Sequence, residues 1–179
     1  SDLQPFRASS DGVPDFMPLG MGYRYHITSN NHDEGGFPAT ENSKIAAELL
    51  SRLHSKIENN VDEIVMTEEL HTEDAEVVVF AYGATYRSAR SAVLSAREQG
   101  IRAGAIKAKT LWPFPAELVR RVGERAKAII VPEMNLGQLV GEVERAVRRL
   151  PLDVLRINRA DGLMVTPEQI LEKIRGAAK

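Results

Sequence analysis

The stretch IIVPEMNLGQLVGEVERAV, residues 129–147, places a carboxylate, Glu133, and an amide, Asn135, where a strand gives way to a helix. In open α/β sheets ligands gather outside the carboxyl ends of strands. A carboxylate there can accept a proton, hold a donor of another chain, or meet the positive end of the following helix. Asn135 occupies an N-cap position, with Gln138 three residues on as a variant capping box. Capping accounts for Asn135 and Gln138 without any ligand and leaves Glu133 unexplained. No G-x-S-x-G elbow accompanies it, so the junction reads as structural first and interfacial second, and no residue is assigned a catalytic role.

Three further groups carry chemistry. TSNNHDEGG (28–36) offers His32, Asp33 and Glu34 as candidate ligand, contact or acid/base groups. The i, i+4 histidine spacing of metal sites is missing, and a loop bonded to backbone or to a neighbouring chain is the reading preferred over a metal. AYGATYRS (81–88) is the first βα turn, with Gly83 alone where a dinucleotide fingerprint needs three glycines. Thr85 and Ser88 remain candidates for holding an anion at a helix N-terminus, against the simpler reading of Thr85 as an N-cap. KTLWPFPAEL (109–118) presents Trp112 and Phe114 from a loop stiffened by Pro113 and Pro115. These rings either pack beneath the sheet or anchor an interface.

The elements that must position these groups follow from periodicity. AEVVVFAYG (75–83), IRAGAIKAKT (101–110), KAIIVPE (127–133) and DVLRINR (153–159) read as strands, with a short additional one near DEIVM (62–66). Helices are predicted over about 42–59, 85–100, 115–126, 136–150 and 166–177, the last with a Thr166 cap and Pro167 at its first turn. Strands alternating with helices of this length predict a three-layer α/β/α fold, with a mostly parallel, mixed sheet of about five strands. Glu142, Glu144, Arg145, Arg148 and Arg149 read as a solvated helix face.

Residues 1–40 have another texture, holding five of the 13 glycines and four of the 9 prolines. Phe6, Phe16, Met17, Leu19, Tyr23, Ile27 and Phe37 are too many apolar groups for a solvated tail, so an irregular arm lying on a protein surface is expected. The predicted organisation is a connector arm over 1–40, a linker helix and short strand over 41–72, and the α/β domain over 73–179.

Composition sets outer limits. Apolar residues make up 43% and charged residues 27% of 179, as in a globular protein with a real core. A net charge of −2 leaves no basic surplus for nucleic acid and no polybasic membrane patch. Cysteine is absent, which removes disulfides, a thiol nucleophile and iron–sulfur ligation by this chain. A reducing cytoplasm is the compatible setting, and no apolar run is long enough to span a bilayer.

Four segments occur in order: GYRYHITSNNHDEGGFPAT, AEVVVFAYGATYRSARSAV, KTLWPFP and VPEMNLGQLVGEVERAV. Together they resemble the C-terminal half of the alpha subunit of 2-oxoacid:ferredoxin oxidoreductases, most closely the branch using 2-oxoglutarate. The resemblance implies a transketolase C-terminal-like domain inside an enzyme that oxidatively decarboxylates a 2-oxoacid on thiamine diphosphate with Mg²⁺, makes an acyl-CoA, and passes electrons through iron–sulfur clusters to ferredoxin. It implies that none of these cofactors is bound by this chain alone, and that the chain alone is inactive. Its implied partners are an N-terminal pyrimidine-binding domain, the beta subunit, and ferredoxin through the complex, with homodimerisation open. Two other readings stand beside it. One is a free-standing nucleotide- or CoA-binding α/β domain; the other is the equivalent domain of a pyruvate:ferredoxin oxidoreductase or of an E1-type dehydrogenase beta chain.

Overall fold

The computed structural model describes residues 3–27 and 30–179, so Thr28 and Ser29, which open the polar cluster seen in the sequence, lie outside the described residues. The chain divides into two compact units, Ser1–Ile64 and Val65–Lys179.

The first unit is an irregular segment followed by helices α1 (Ser43–Glu58) and α2 (Val61–Ile64). Its turns are closed locally by the bridges Ala8↔Pro14 and His32↔Pro38. Phe6 organises the segment, with its ring 4.3 Å from His32 and 6.4 Å from Tyr25. Gly36, at φ +85°, is compulsory there, because a Cβ would lie 2.6 Å from the His26 carbonyl and 2.7 Å from the Phe6 ring. Asn42 caps α1 through Ile45 N–H, and Arg52 on α1 donates to the Gly12 carbonyl at 3.1 Å. No residue of α1 is fully buried.

The second unit is a five-stranded sheet in the order β1-β3-β2-β4-β5. Its elements are β1 (Thr67–Leu70), β2 (Val77–Tyr82), α3 (Thr85–Glu98), β3 (Ala103–Ala108), α4 (Ala116–Gly123), β4 (Ala128–Glu133), α5 (Val140–Val147), β5 (Asp153–Asn158) and α6 (Pro167–Ala177). Only β1 is antiparallel. Both faces are covered, which is why β2 and β4 are near-continuous apolar runs rather than alternating ones. On one face Val78, Phe80, Ile129 and Val131 pack against Val119 and Val122 of α4 and Val140, Val143 and Val147 of α5. On the other, Val77, Val79, Ala105 and Ile130 pack against Ala89, Ala92, Val93 and Ala96 of α3 and Ile170 and Ile174 of α6. The three-layer α/β/α fold with a mixed, five-stranded sheet is the architecture the periodicity predicts.

Two local expectations are corrected. The short strand expected near DEIVM lies just beyond it, at Thr67–Leu70, and residues 62–64 belong instead to the helical turn Val61–Ile64. Asp62 and Glu63 suit that turn's positive end, while TEEL is too polar to read as a strand and is one only because Ala105–Ala108 of β3 pairs with it. Helix α5 starts at Val140, four residues later than predicted, with consequences for the site.

Candidate functional site

The winding of the sheet reverses between β2 and β4: from β2 the chain steps to β3 on one side, then crosses back to β4 on the other. Such a reversal is where doubly wound sheets hold ligands. Here β2 and β4 are paired only over Val77–Val79 and Ala128–Ile130, whereas β2–β3 and β4–β5 are paired along six residues each. The two strands part toward their carboxyl ends, and the opening is filled from within.

Glu133, at the end of β4, is fully buried. Its Oε1 accepts from Leu139 N–H at 2.9 Å, Gln138 N–H at 3.3 Å, Asn135 Nδ2 at 3.2 Å and Tyr82 O–H at 3.4 Å. Its Oε2 accepts from Val140 N–H at 3.1 Å. Burying an unpaired carboxylate would cost several kcal/mol, and these five donors with the helix terminus offset it. Asn135 Nδ2 also donates to the Tyr82 hydroxyl at 3.0 Å. Burial first, and the Glu133 charge second, raise the Tyr82 phenol above its ordinary value, so it stays protonated near neutrality and acts as a donor.

The capping roles of Asn135 and Gln138 are therefore corrected. Asn135 Oδ1 closes a turn onto Gly137 N–H at 2.7 Å, and the carboxylate of Glu133 caps α5. Asn135 is too early in the chain to reach the first turn of a helix that starts at Val140, and the Gln138 amide is one of the groups capped. Thr85 is likewise no N-cap. It is the first residue of α3, and its hydroxyl donates back to the Tyr82 carbonyl at 2.7 Å. Ser88 is buried one turn on, and Gly83 makes the tight turn at φ +54°.

The remaining candidates fall elsewhere. Trp112 and Phe114 part company: Phe114 packs on Phe80 with ring centroids 5.5 Å apart, while Trp112 is 68% exposed. His32, Asp33 and Glu34 belong to the first unit. His32 Nδ1 lies 2.8 Å from the Asp33 carbonyl, Asp33 Oδ1 accepts from Phe37 N–H at 3.0 Å, and Glu34 pairs with Arg7 at 2.9 Å. They border a cleft of about 360 Å³ shared with Gln4, Phe6 and Arg52. Among the described residues no group of three His, Asp or Glu side chains is arranged to hold a metal ion.

Sequence reasoning missed the surface around the filled crevice. Every large apolar side chain left exposed in the second unit, among the described residues, stands at the carboxyl edge of the sheet. Met66 precedes the antiparallel β1, Leu111 and Trp112 follow β3, Met134 and Leu136 follow β4, and Leu163 and Met164 follow β5. Leu136 is 85% exposed. Exposed apolar side chains gathered on one edge are a common feature of interaction surfaces. Exposure of single loop residues leaves no periodic trace, so only the aromatic pair at 112 and 114 hinted at it. Tyr82 was missed for another reason: it lies 51 residues from the carboxylate it serves.

Comparisons with known proteins agree with a part of a longer chain. A family described as pyruvate:ferredoxin oxidoreductase core domain II matches residues 75–170, just over half of the chain. The 2-oxoglutarate synthase subunit KorA of Methanothermobacter thermautotrophicus is 43% identical over 173 residues, covering 97% of this chain but 46% of that protein. The chain thus spans about half the length of this curated relative. Among solved structures, the 2-oxoglutarate:ferredoxin oxidoreductase of Magnetococcus marinus superposes with a TM-score of 0.78 at 24% identity, over 97% of this chain and 30% of that one. A split-gene transketolase superposes at 0.56 and 18% identity, over 63% of this chain and 41% of the other. These two likenesses bear on the fold, and they agree with the transketolase C-terminal-like architecture. The chain belongs to the 2-oxoacid:ferredoxin oxidoreductase family, its second unit carrying the match to core domain II.

Proposed function

We propose that the chain is the core domain II portion of the alpha subunit of a thiamine-diphosphate-dependent 2-oxoacid:ferredoxin oxidoreductase. Its work is docking: the carboxyl edge of the sheet seats against the thiamine-binding parts of the enzyme and helps shape the active-site surround. The observation that carries this reading is the exposed apolar rim around a crevice already filled by Glu133. Such a surface gains from being covered by protein, and the amides at the start of α5 are already taken by Glu133. The relatives' names favour 2-oxoglutarate as the 2-oxoacid.

Neither an iron–sulfur cluster nor a Mg²⁺–diphosphate fits the donors of the described residues. The chain has no cysteine for an iron–sulfur cluster, and its described acidic and histidine side chains form no cation site for a Mg²⁺–diphosphate. Thiamine diphosphate, Mg²⁺, the clusters and CoA belong to the other domains and subunits of the complex in this reading. Residues 1–40 act as a connector and 41–72 as a linker whose strand β1 joins the sheet of the docking domain that continues through 73–179. The setting is the cytoplasm; no helix among the described residues is long and apolar enough to cross a membrane. The nucleotide-binding alternative loses its best position, because the amides of Gln138, Leu139 and Val140 at the start of α5 all go to Glu133.

The test is co-expression of this chain with the pyrimidine-binding domain and the beta subunit. The expected result is a stable complex that Trp112→Ala with Leu136→Ser weakens at least ~tenfold, at unchanged thermal midpoint. A wild-type chain that stays free of both partners overturns the reading.

A further inference from the structure

We propose that Glu133 is a positioning residue for the docking edge: its carboxylate is a built-in anion at the start of α5 that holds residues 134–139 in the shape that presents Met134 and Leu136. The inference rests on the docking reading above and adds the device that makes the surface.

Three amides in a row, from Gln138, Leu139 and Val140, converge on one carboxylate. That is how a helix terminus receives a bound anion. Here the anion arrives on the preceding strand, and the side chains of Asn135 and Tyr82 complete its shell from the same loop and from β2. Beyond Glu133, the segment is held by Leu139 packing on the core, by the Asn135–Tyr82 bond and by two further side-chain bonds. Asn135 Oδ1 takes Gly137 N–H at 2.7 Å, and Asn158 Nδ2 reaches the Asn135 carbonyl at 3.2 Å. Leu136, at the centre of this loop, is 85% exposed. The backbone of a loop tied at both ends has lost its conformational freedom before any partner arrives, and this lowers the entropic cost of association.

Charge matters as well as shape. A Gln at 133 can place its Oε1 where four donors converge, but its Nε2 then faces Val140 N–H, donor against donor. An Ala at 133 removes the anion and leaves a carboxylate-sized space lined by five donors. These two variants fail in different ways, which makes the proposal testable.

Glu133→Ala and Glu133→Gln are co-expressed with the pyrimidine-binding domain and the beta subunit. Association and thermal midpoint are then measured in sodium formate and, at equal ionic strength, in sodium chloride. In chloride both variants bind at least ~tenfold more weakly than wild type. Formate, entering the vacated position, raises the midpoint and the affinity of the Ala variant and leaves the Gln variant unchanged. Should the Ala variant not fold in chloride, its recovery of fold and binding in formate supports the inference equally. If wild type binds and a folded variant binds equally well, or formate does nothing for the Ala variant, the inference is overturned while docking stands. If wild type itself does not associate, the docking reading fails and this inference falls with it.

Discussion

The two edges of the sheet are built from opposite materials. At the amino edge, charged side chains tie the strand beginnings together. Arg97 makes a two-pronged contact with Asp74 at 2.6 and 2.9 Å and also donates to the carbonyls of His71 and Ala103. Glu76 pairs with both Lys127, at 2.9 Å, and Arg102. Among the described residues no large apolar side chain is left exposed there. At the carboxyl edge Tyr82 and Asn135 turn inward onto Glu133, the pairs Lys109–Glu68 and Arg159–Asp161 stay at the surface, and all the exposed large apolar side chains of the second unit among the described residues stand outward. The difference suggests a division of labour under the proposed docking role: one edge is finished by the domain's own charges, and the other carries the exposed apolar side chains that a partner would cover.

If that contrast is sound, substitutions at the amino edge should cost stability and those on the carboxyl rim should not. The largest loss is expected for Gly104→Ala. A Cβ there would lie 2.6 Å from the His71 carbonyl oxygen and 3.0 Å from Ala75 Cβ, so backbone must move. Urea unfolding should show a loss of about 2–3 kcal/mol. Arg97→Met should cost less, ~1–2 kcal/mol, because its aliphatic stem is kept while two carbonyls lose their donor. Replacing Trp112 by Ala or Leu136 by Ser should leave unfolding within about 0.5 kcal/mol of wild type. A loss as large as that of Arg97→Met would erase the contrast by showing that these side chains support the fold.

The smallest effect concerns pH. Asp161 is held down from 3.8 to about 2, first by Arg159 and then by the Leu163 amide. A depressed native value means stability that is present above 3.8 and is lost as pH falls through about 2. The group is exposed, so the gain is small. Asp161→Asn should lower the thermal midpoint slightly at neutral pH, and the two melting curves should merge in strong acid. A difference that persists below pH ~2 would assign the effect to the turn geometry at 161–163 rather than to charge.

Much of this arrangement was legible beforehand, for identifiable reasons. The runs at 77–82 and 128–133 are β-branched and apolar because both faces of the sheet are covered, and that burial writes itself into composition. Thr166 caps the last helix as expected, and Gln169 completes a capping box with it. Glu133 stood out as a carboxylate without a local use. Local reasoning erred where a neighbour in space overrode a neighbour in sequence. Asn135 is the right residue type for a cap, yet the carboxylate two positions earlier reaches the helix first. TEEL is a strand only by virtue of its partner β3.

The sequence by itself determined the alternation of strands and helices, the two-sided core and the lack of thiolate ligands, because periodicity and composition are local properties of the chain. Only the tertiary structure decided that Tyr82 meets Glu133 across a parted pair of strands, and that seven scattered apolar residues share one edge. Both outcomes depend on the order in which the strands lie, β1-β3-β2-β4-β5. That order is set by which side each crossover takes when the helices bury their apolar faces, and no short window of sequence contains the choice.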